Sequence, residues 1–127
     1  MVTKAEAADL PENADLRRAD SLAREIFSDI ANKWALLIIE ALGDHTLRFS
    51  ELRDGVEGIS HKMLTQNLRM LERNGLLERT VHPVVPPKVE YTLTEPGRAL
   101  RATIDGLCEW TQRHLHEIEA SRHRFDT

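Results

Sequence analysis

The stretch ISHKMLTQNLRMLERNGLLERTV, residues 59–81, decides the predicted fold. Ser60 is a favourable helix N-cap, and the Asn-Gly pair at 74–75 is typical of a helix end. The segment LLERTVH that follows, residues 76–82, favours a strand. Between the cap and the Asn-Gly pair, three residues recur at helical spacing and predict one buried helix face: Leu64, Leu68 and Leu71.

The helix face opposite these leucines is cationic. Lys62, Gln66, Arg69 and Arg73 recur at intervals of four, three and four residues, so they share one face. No acid interrupts them before Glu72, so they are not a run of alternating salt bridges. Lys and Arg can donate to guanine, and Gln can pair with adenine. A DNA-reading face is one interpretation, and a solvated amphipathic surface is the other.

Upstream of this helix, the sequence predicts two further helices. Asp20 or Ser21 can cap a first helix that runs to about Ala31. KWALLIIEAL, residues 33–42, is apolar almost all round, which predicts a central buried helix, and Gly43 ends it. A short strand and a short helix are then expected, at 47–49 and from Phe49 or Ser50.

Downstream, the sequence predicts a second strand and a long final helix. Apolar and polar side chains alternate in KVEYTLT, residues 88–94, which is typical of a strand with one buried face. PVVPP, residues 83–87, is too long for a tight turn and predicts a stiff hairpin loop. Thr94 can cap a last helix from about Glu95 to about Ser121.

The assembled elements predict a mainly α fold with a small β-hairpin. A helix pair joined by a glycine turn and followed by a hairpin is typical of a winged helix-turn-helix. The expected domain organisation has three parts: a flexible or weakly helical N-terminal arm at 1–19, a winged helix-turn-helix domain at 20–121 whose last helix spans 95–121, and a frayed tail at 122–127.

Composition and charge narrow the class of protein. The 127 residues suit one domain, and the single cysteine excludes an intrachain disulfide. The sequence has no apolar run near the roughly 20 residues of a membrane span and no signal peptide, so a cytoplasmic protein is expected. The formal net charge is −4, but residues 45–88 hold seven Lys or Arg against five Asp or Glu. This modestly basic centre permits DNA binding without establishing it.

Three segments carry a resemblance to a known family: NKWALLIIEAL (32–42), LRFSELRDGVEGISHKMLTQNLRMLERNGLLERTV (47–81) and VPPKVEYTLTEPGRAL (85–100). They resemble the HxlR-type winged helix-turn-helix transcriptional regulators, and nearly every fixed position of the family pattern is matched. The resemblance implies a dimeric, cytoplasmic, prokaryotic regulator of transcription that binds DNA. In that family the terminal helices dimerise, and the wing and the second helix of the motif touch DNA. The resemblance therefore implies that the long terminal helices of this chain form a dimer, with the last helix, 95–121, as the dimerisation helix.

The predicted function is that of a sequence-specific, double-stranded DNA-binding repressor that acts as a homodimer on a pseudo-palindromic operator. The expected DNA contacts come from the second helix of the motif, the start of the helix before it and the wing: Arg48, Ser50, Ser60, His61, Lys62, Thr65, Gln66, Arg69, Arg73, His82 and Lys88. The expected dimer interface comes from the first and last helices: Leu22, Ile26, Leu100, Ile104, Leu107, Thr111, Leu115 and Ile118.

The chain departs from the family pattern at one position, and three other functions stay open. Members of the family commonly carry a cysteine near the start of the first helix, where this chain has Ser21, and some sense oxidants through it. Cys108 is expected to be a small buried residue, whereas an exposed thiol would favour redox control. A small-molecule inducer, not identified by the sequence, would make the protein a ligand-sensing repressor. The acidic net charge favours a third alternative, a winged helix that binds a partner protein.

Catalytic and metal-binding signals are weak. Ser, His and Asp are present, but no nucleophile elbow, phosphate loop or dinucleotide fingerprint accompanies them. His114 and His116 are two residues apart on a predicted helix, so they point to different faces and do not chelate a metal together. We therefore expect no enzymatic activity, no metal and no cofactor.

Overall fold

The computed structural model describes residues 11–127, in which helices surround a small sheet. The elements in chain order are α1 (Pro11–Ile30), α2 (Lys33–Leu42), β1 (Leu47–Arg48), α3 (Phe49–Gly55), α4 (His61–Arg73), β2 (Leu77–His82), β3 (Lys88–Leu93), α5 (Glu95–Arg113) and α6 (Leu115–Asp126). The mainly α prediction with a hairpin is confirmed, and α3 and α4 form the helix pair before the wing. β1 joins the hairpin, so the sheet has three strands in the order β1-β3-β2.

Side-chain caps fix the starts of three helices, two of them at the predicted residues Ser60 and Thr94. Asn32, Ser60 and Thr94 each accept a hydrogen bond from the backbone N–H three residues later, at 2.9, 3.1 and 3.2 Å. Such caps satisfy donors that have no partner within the helix. Gly75 follows α4 with a φ of 72°, in the left-handed region that glycine favours. The chain therefore turns sharply from α4 into β2.

The core lies between α2, α4 and the sheet. The predicted leucine face of α4 is buried, and α2 supplies four side chains that are fully covered: Ala35, Ile38, Ile39 and Leu42. On β3, Tyr91 and Leu93 are buried, as the alternation in the sequence predicts, while Val89 is half-buried. Burial of these aliphatic side chains supplies most of the force that holds α4 against the sheet.

The first helix begins earlier than predicted. It starts at Pro11 rather than at Asp20 or Ser21, so residues 11–19 of the expected arm are helical, while residues 1–10 lie outside the described part of the chain. Proline suits a first helical turn, because its missing N–H needs no partner there. Arg18 also pairs with Asp15 one turn earlier. These local interactions extend α1 although Leu16 and its neighbours are exposed.

The last helix is divided in two, which corrects the prediction of one helix at 95–121 and a frayed tail. His114 has φ −112° and ψ 14°, and α6 continues to Asp126. The N–H of His114 is shared between the carbonyls of Trp110 and Thr111, at 3.2 Å each. The Thr111 hydroxyl donates to the Leu107 carbonyl at 2.9 Å, a bond of the kind that bends helices.

Candidate nucleic-acid interface

The structure places the cationic face of α4 in solvent. Lys62, Gln66 and Arg69 are exposed on the side of α4 opposite its buried leucines. Their side chains make neither a hydrogen bond nor an ion pair with any other residue of 11–127. Their donors are therefore free to meet a ligand, and guanidinium, ammonium and amide groups suit base edges and phosphates.

The residues at the start of α4 are more constrained than the cations. The Ser60 hydroxyl already accepts the N–H of Met63. The His61 ring packs against Phe49, with ring centroids 4.7 Å apart and planes tilted by 48°. Thr65 is half-buried at the side of the helix. These contacts hold the N-terminal turn of α4 against α3, and they leave the turn itself exposed.

The structure separates Arg73 from the other cations of α4. Arg73 lies at the C-terminal end of the helix and lines a groove against α1 that also contains Glu25 and Asp29. The carboxylates of Glu25 and Asp29 attract the guanidinium of Arg73, so they favour a position of this side chain at the junction of α1 and α4. Arg73 thus shares a helix face with Lys62 but has a different, acidic neighbourhood.

The two predicted wing contacts are bound to an acid that the sequence analysis did not single out. The Oε1 atom of Glu90 lies 2.6 Å from His82 Nε2 and 3.6 Å from Lys88 Nζ. His82 pairs with Lys88 across the hairpin, so all three side chains share one face of the sheet. Glu90 therefore offsets the positive charge that the wing was expected to bring to DNA.

The start of α3 places Arg48 and Ser50 in solvent, as a phosphate contact requires. The Arg48 N–H donates to Glu51 Oε1 at 2.9 Å, which closes the first turn of α3. Arg48 also pairs in register with Glu90, so its side chain is on the same sheet face as the wing acid. An acid next to this cation was not apparent from the sequence, because the register of β1 against β3 is a long-range feature.

Arg79 is a cation of the hairpin to which the sequence assigned no role. It pairs in register with the buried Tyr91, so it lies on the core face of the sheet, the face that packs against α4. There it lines a groove together with Arg69. Arg79 is two residues after the buried Leu77 on the same strand, but β2 shows no clear alternation of apolar and polar side chains that could have revealed it.

The family model described as HxlR-like helix-turn-helix matches residues 29–119 of the chain. The chain belongs to this family. The HTH-type transcriptional regulator YtfH of Escherichia coli (strain K12) is 42% identical over 100 residues, which cover 79% of each protein. The solved structure of ytfH from Salmonella typhimurium has a TM-score of 0.67 at 42% identity and covers 80% of this chain and 90% of that one. The redox regulator HypR in its reduced form has a TM-score of 0.68 at 36% identity, with coverages of 77% and 97%.

The match establishes the HxlR-like protein as a transcriptional regulator with a helix-turn-helix DNA-binding fold. The winged arrangement predicted from the sequence is thereby confirmed, since α3, α4 and the sheet have the order and contacts that this fold requires. The individual DNA contacts stay predictions. Among residues 11–127, no helix is long and apolar enough to cross a membrane.

The predicted dimer residues of the HxlR-like chain fall into two groups. Ile26, Leu100 and Ile104 are partly buried and pack against the core of their own chain. The other five face solvent wholly or in part: Leu22, Leu107, Thr111, Leu115 and Ile118. Trp110 is 46% exposed beside them on α5. The second group therefore leaves apolar surface of the terminal helices uncovered in the single chain.

Cys108 is exposed on α5, which corrects the expectation of a buried residue. The reason is that α5 contacts its own core mainly through Leu100 and Ile104, so its C-terminal half projects beyond the core. Ser21, at the family's cysteine position, is exposed on α1. Within residues 11–127, no three His, Cys, Asp or Glu side chains are grouped so as to hold a metal ion.

Proposed function

We propose that this HxlR-like regulator binds double-stranded DNA sequence-specifically and represses transcription as a homodimer on a pseudo-palindromic operator. The observation that carries the proposal is the exposed face of α4 formed by Lys62, Gln66 and Arg69, which has no partner among residues 11–127. The second helix of a helix-turn-helix motif, which is α4 in this chain, presents its N-terminal residues to base edges in the major groove. We place this function in the cytoplasm, where the operator would be.

The neighbouring elements have supporting roles in this proposal. Arg48 and Ser50 at the start of α3 would contact phosphates, and so would Ser60 and His61 at the start of α4. Thr65 would face the bases from the side of α4. The contributions of Arg73, His82 and Lys88 would be smaller, because carboxylates lie beside each of them.

Dimerisation through the terminal helices completes the proposed function. The exposed apolar residues of α1, α5 and α6 give a second copy a surface to cover, and large apolar patches on monomers commonly mark such interfaces. Two α4 helices related by a two-fold axis would enter successive major grooves about 34 Å apart. The half-sites of the operator would then be inverted repeats.

Fluorescence anisotropy tests the proposal directly. A labelled duplex from the DNA that flanks the protein's own gene is compared with a scrambled duplex at low and physiological salt. We expect preference for the flanking duplex and a steep loss of affinity with salt, because phosphate contacts release counterions. Equally weak binding of both duplexes would favour the alternative of a winged helix that binds a partner protein, for which the acidic net charge of −4 is the support.

A further inference from the structure

We infer that the groove between α4 and the sheet binds a phosphate of the DNA backbone, and that Arg79 is the residue of the sheet that holds it. The inference rests on the proposed DNA-binding function. It adds a DNA contact from the sheet, outside α4 and outside the tip of the wing. The groove has a volume of about 500 Å³. It is lined chiefly by Thr65, Arg69 and Glu72 of α4, by Arg79 and Tyr91 of the sheet, and by Phe49.

The strand register directs Arg79 into this groove. Directly paired residues of an antiparallel sheet have their side chains on the same face. Arg79 pairs with Tyr91, and the next pair on that face is Leu77 with Leu93. Tyr91, Leu77 and Leu93 are all buried, whereas Arg79 is exposed, so Arg79 lies at the edge of the core where the sheet emerges beside α4.

The charges in the groove favour an anion. Arg69 and Arg79 bring two guanidinium groups to one site, and Glu72 brings a single carboxylate. Neither arginine makes an ion pair within 4 Å in the part of the chain that the structure describes. Two like charges without a partner repel one another, and a phosphate between them would remove the repulsion through charge-assisted hydrogen bonds.

The groove is continuous with the cationic face of α4, and this position identifies the anion as a backbone phosphate. Arg69 belongs both to the groove and to the exposed cationic face of α4. A helix in the major groove is flanked by the phosphates of both strands, so an anion beside Arg69 at the side of α4 is in the position of a strand phosphate. His82 and Lys88 are on the other face of the sheet with Glu90, and they are less available for this contact.

A salt series on the full chain tests the role of Arg79. Binding of the flanking duplex is measured for the parent and for Arg79→Ala between 50 and 200 mM salt. Loss of one phosphate contact should reduce the steepness of log affinity against log salt by about 0.9. The loss of DNA affinity between the two salt concentrations should then be smaller by about 3.5-fold. The preference for flanking over scrambled duplex should stay unchanged, because a phosphate contact carries no sequence information.

Two controls make the result specific. Arg122→Ala removes an exposed arginine from α6, far along the chain from α4, and should leave the salt slope unchanged. Thermal unfolding by circular dichroism checks that Arg79→Ala is folded. In a double-mutant cycle, Arg69→Ala and Arg79→Ala should be non-additive, since both side chains would hold the same phosphate.

Four outcomes would overturn the inference. Arg79→Ala with the affinity and salt slope of the parent would show that Arg79 meets no phosphate, while the proposed function would stand. A changed base preference in Arg79→Ala would assign it to a base edge. Inorganic phosphate that binds the parent but not Arg79→Ala, by phosphorus NMR, with an unchanged DNA slope would assign the groove to a free anion. A parent without salt-sensitive binding would overturn the proposed function as well.

Discussion

Asn74 donates a hydrogen bond from Nδ2 to Asp29 Oδ2 over 3.1 Å, and this bond joins the C-cap of α4 to the end of α1. The same Nδ2 donates to the Met70 carbonyl at 3.1 Å, which closes the last turn of α4. One amide therefore fixes α4 both to its own backbone and to the helix that is proposed to dimerise. In the proposed dimer, the position of α4 relative to the partner copy would depend on this contact.

The first prediction is that Asp29→Ala destabilises the protein and weakens DNA binding. Loss of the acceptor should lower the free energy of unfolding by about 0.5–1.5 kcal/mol, the usual contribution of a hydrogen bond. DNA affinity should fall too, because α4 is held less firmly. Urea unfolding and anisotropy measure the two effects, with Asp20→Ala on the exposed part of α1 as control. Equal behaviour of the two variants would contradict the prediction.

A second prediction concerns pH and arises where α2 meets α5. The pKa of Glu40 is raised above its ordinary value of 4.5, chiefly by a hydrogen bond with Asp105, then by burial and by the charge of Asp105. Arg101, whose Nε lies 3.5 Å from Glu40 Oε2, opposes the shift. Between pH 4.5 and the raised pKa, the folded chain binds more protons than the unfolded chain, so stability is lost as pH rises through this window.

Asp105→Asn should remove much of this pH dependence. Without the second carboxylate, the pKa of Glu40 should fall towards its ordinary value, and the free energy of unfolding should decline less as pH rises from 4.5. Carbon-13 NMR titration of Glu40 gives the pKa, and urea unfolding at several pH values gives the stability. Asp54→Asn, an exposed residue of α3, is the matched control. A Glu40 titration curve that Asp105→Asn does not shift would refute the assignment.

The features that the sequence predicted correctly are those with local causes. Ser60 caps α4 because its hydroxyl reaches the third N–H of the same helix, and Gly75 ends the helix because of its own backbone freedom. The leucine face of α4 and the alternation of β3 are likewise periodicities within one segment. Each of these signals needs no knowledge of the rest of the chain.

The features that could not be predicted from the sequence depend on contacts between distant segments or on weak local interactions. Arg79 lies on the core face of β2, but its neighbours on both sides are exposed, so β2 shows no clear alternation. The ion pairs of Glu90 with His82 and Lys88 could not be predicted, because they follow from the register of the hairpin. The helix break at His114 arises from a bend that no proline or glycine marks.

A third prediction distinguishes two glycines by the space around them. A Cβ at Gly97 would lie 1.9 Å from the Leu76 carbonyl oxygen, whereas a Cβ at Gly55 would meet nothing within 4 Å. Gly97→Ala must therefore push α5 away from the start of β2 and should cost about 1–3 kcal/mol or more. Gly55→Ala should change stability by less than about 0.5 kcal/mol. Thermal unfolding of both variants checks this, and similar melting temperatures would contradict it.

A fourth prediction separates the two ends of the cationic face on α4. Lys62→Ala, at the N-terminal end, should weaken operator binding by about 1–3 kcal/mol and relax the preference at one base pair, if the ammonium meets a base edge. Arg73→Ala should have a smaller effect, because Glu25 and Asp29 lie beside it in the groove against α1. Anisotropy with single-base variants of the operator measures both. A larger loss in Arg73→Ala would reverse the assignment.

The fifth prediction tests the proposed dimer on the C-terminal half of α5. Leu107 is 59% exposed and follows, on the same helix, the residues that pack against the core. Leu107→Glu would place a charge in the proposed apolar interface, where an unpaired carboxylate is costly, so the dimer should dissociate. Sedimentation velocity should show a monomer, and affinity for a two-half-site operator should fall much more than affinity for a single half-site.

Leu37→Glu is the matched control for the dimer, since Leu37 is 45% exposed but lies on α2, outside the predicted interface. It should sediment like the parent. The exposed Cys108 one residue after Leu107 gives an independent readout, because a dimer that covers this part of α5 should slow its labelling by a thiol reagent. Leu107→Glu should restore fast labelling. A parent that sediments as a monomer and labels fast at all concentrations would place the dimer contact elsewhere or exclude it.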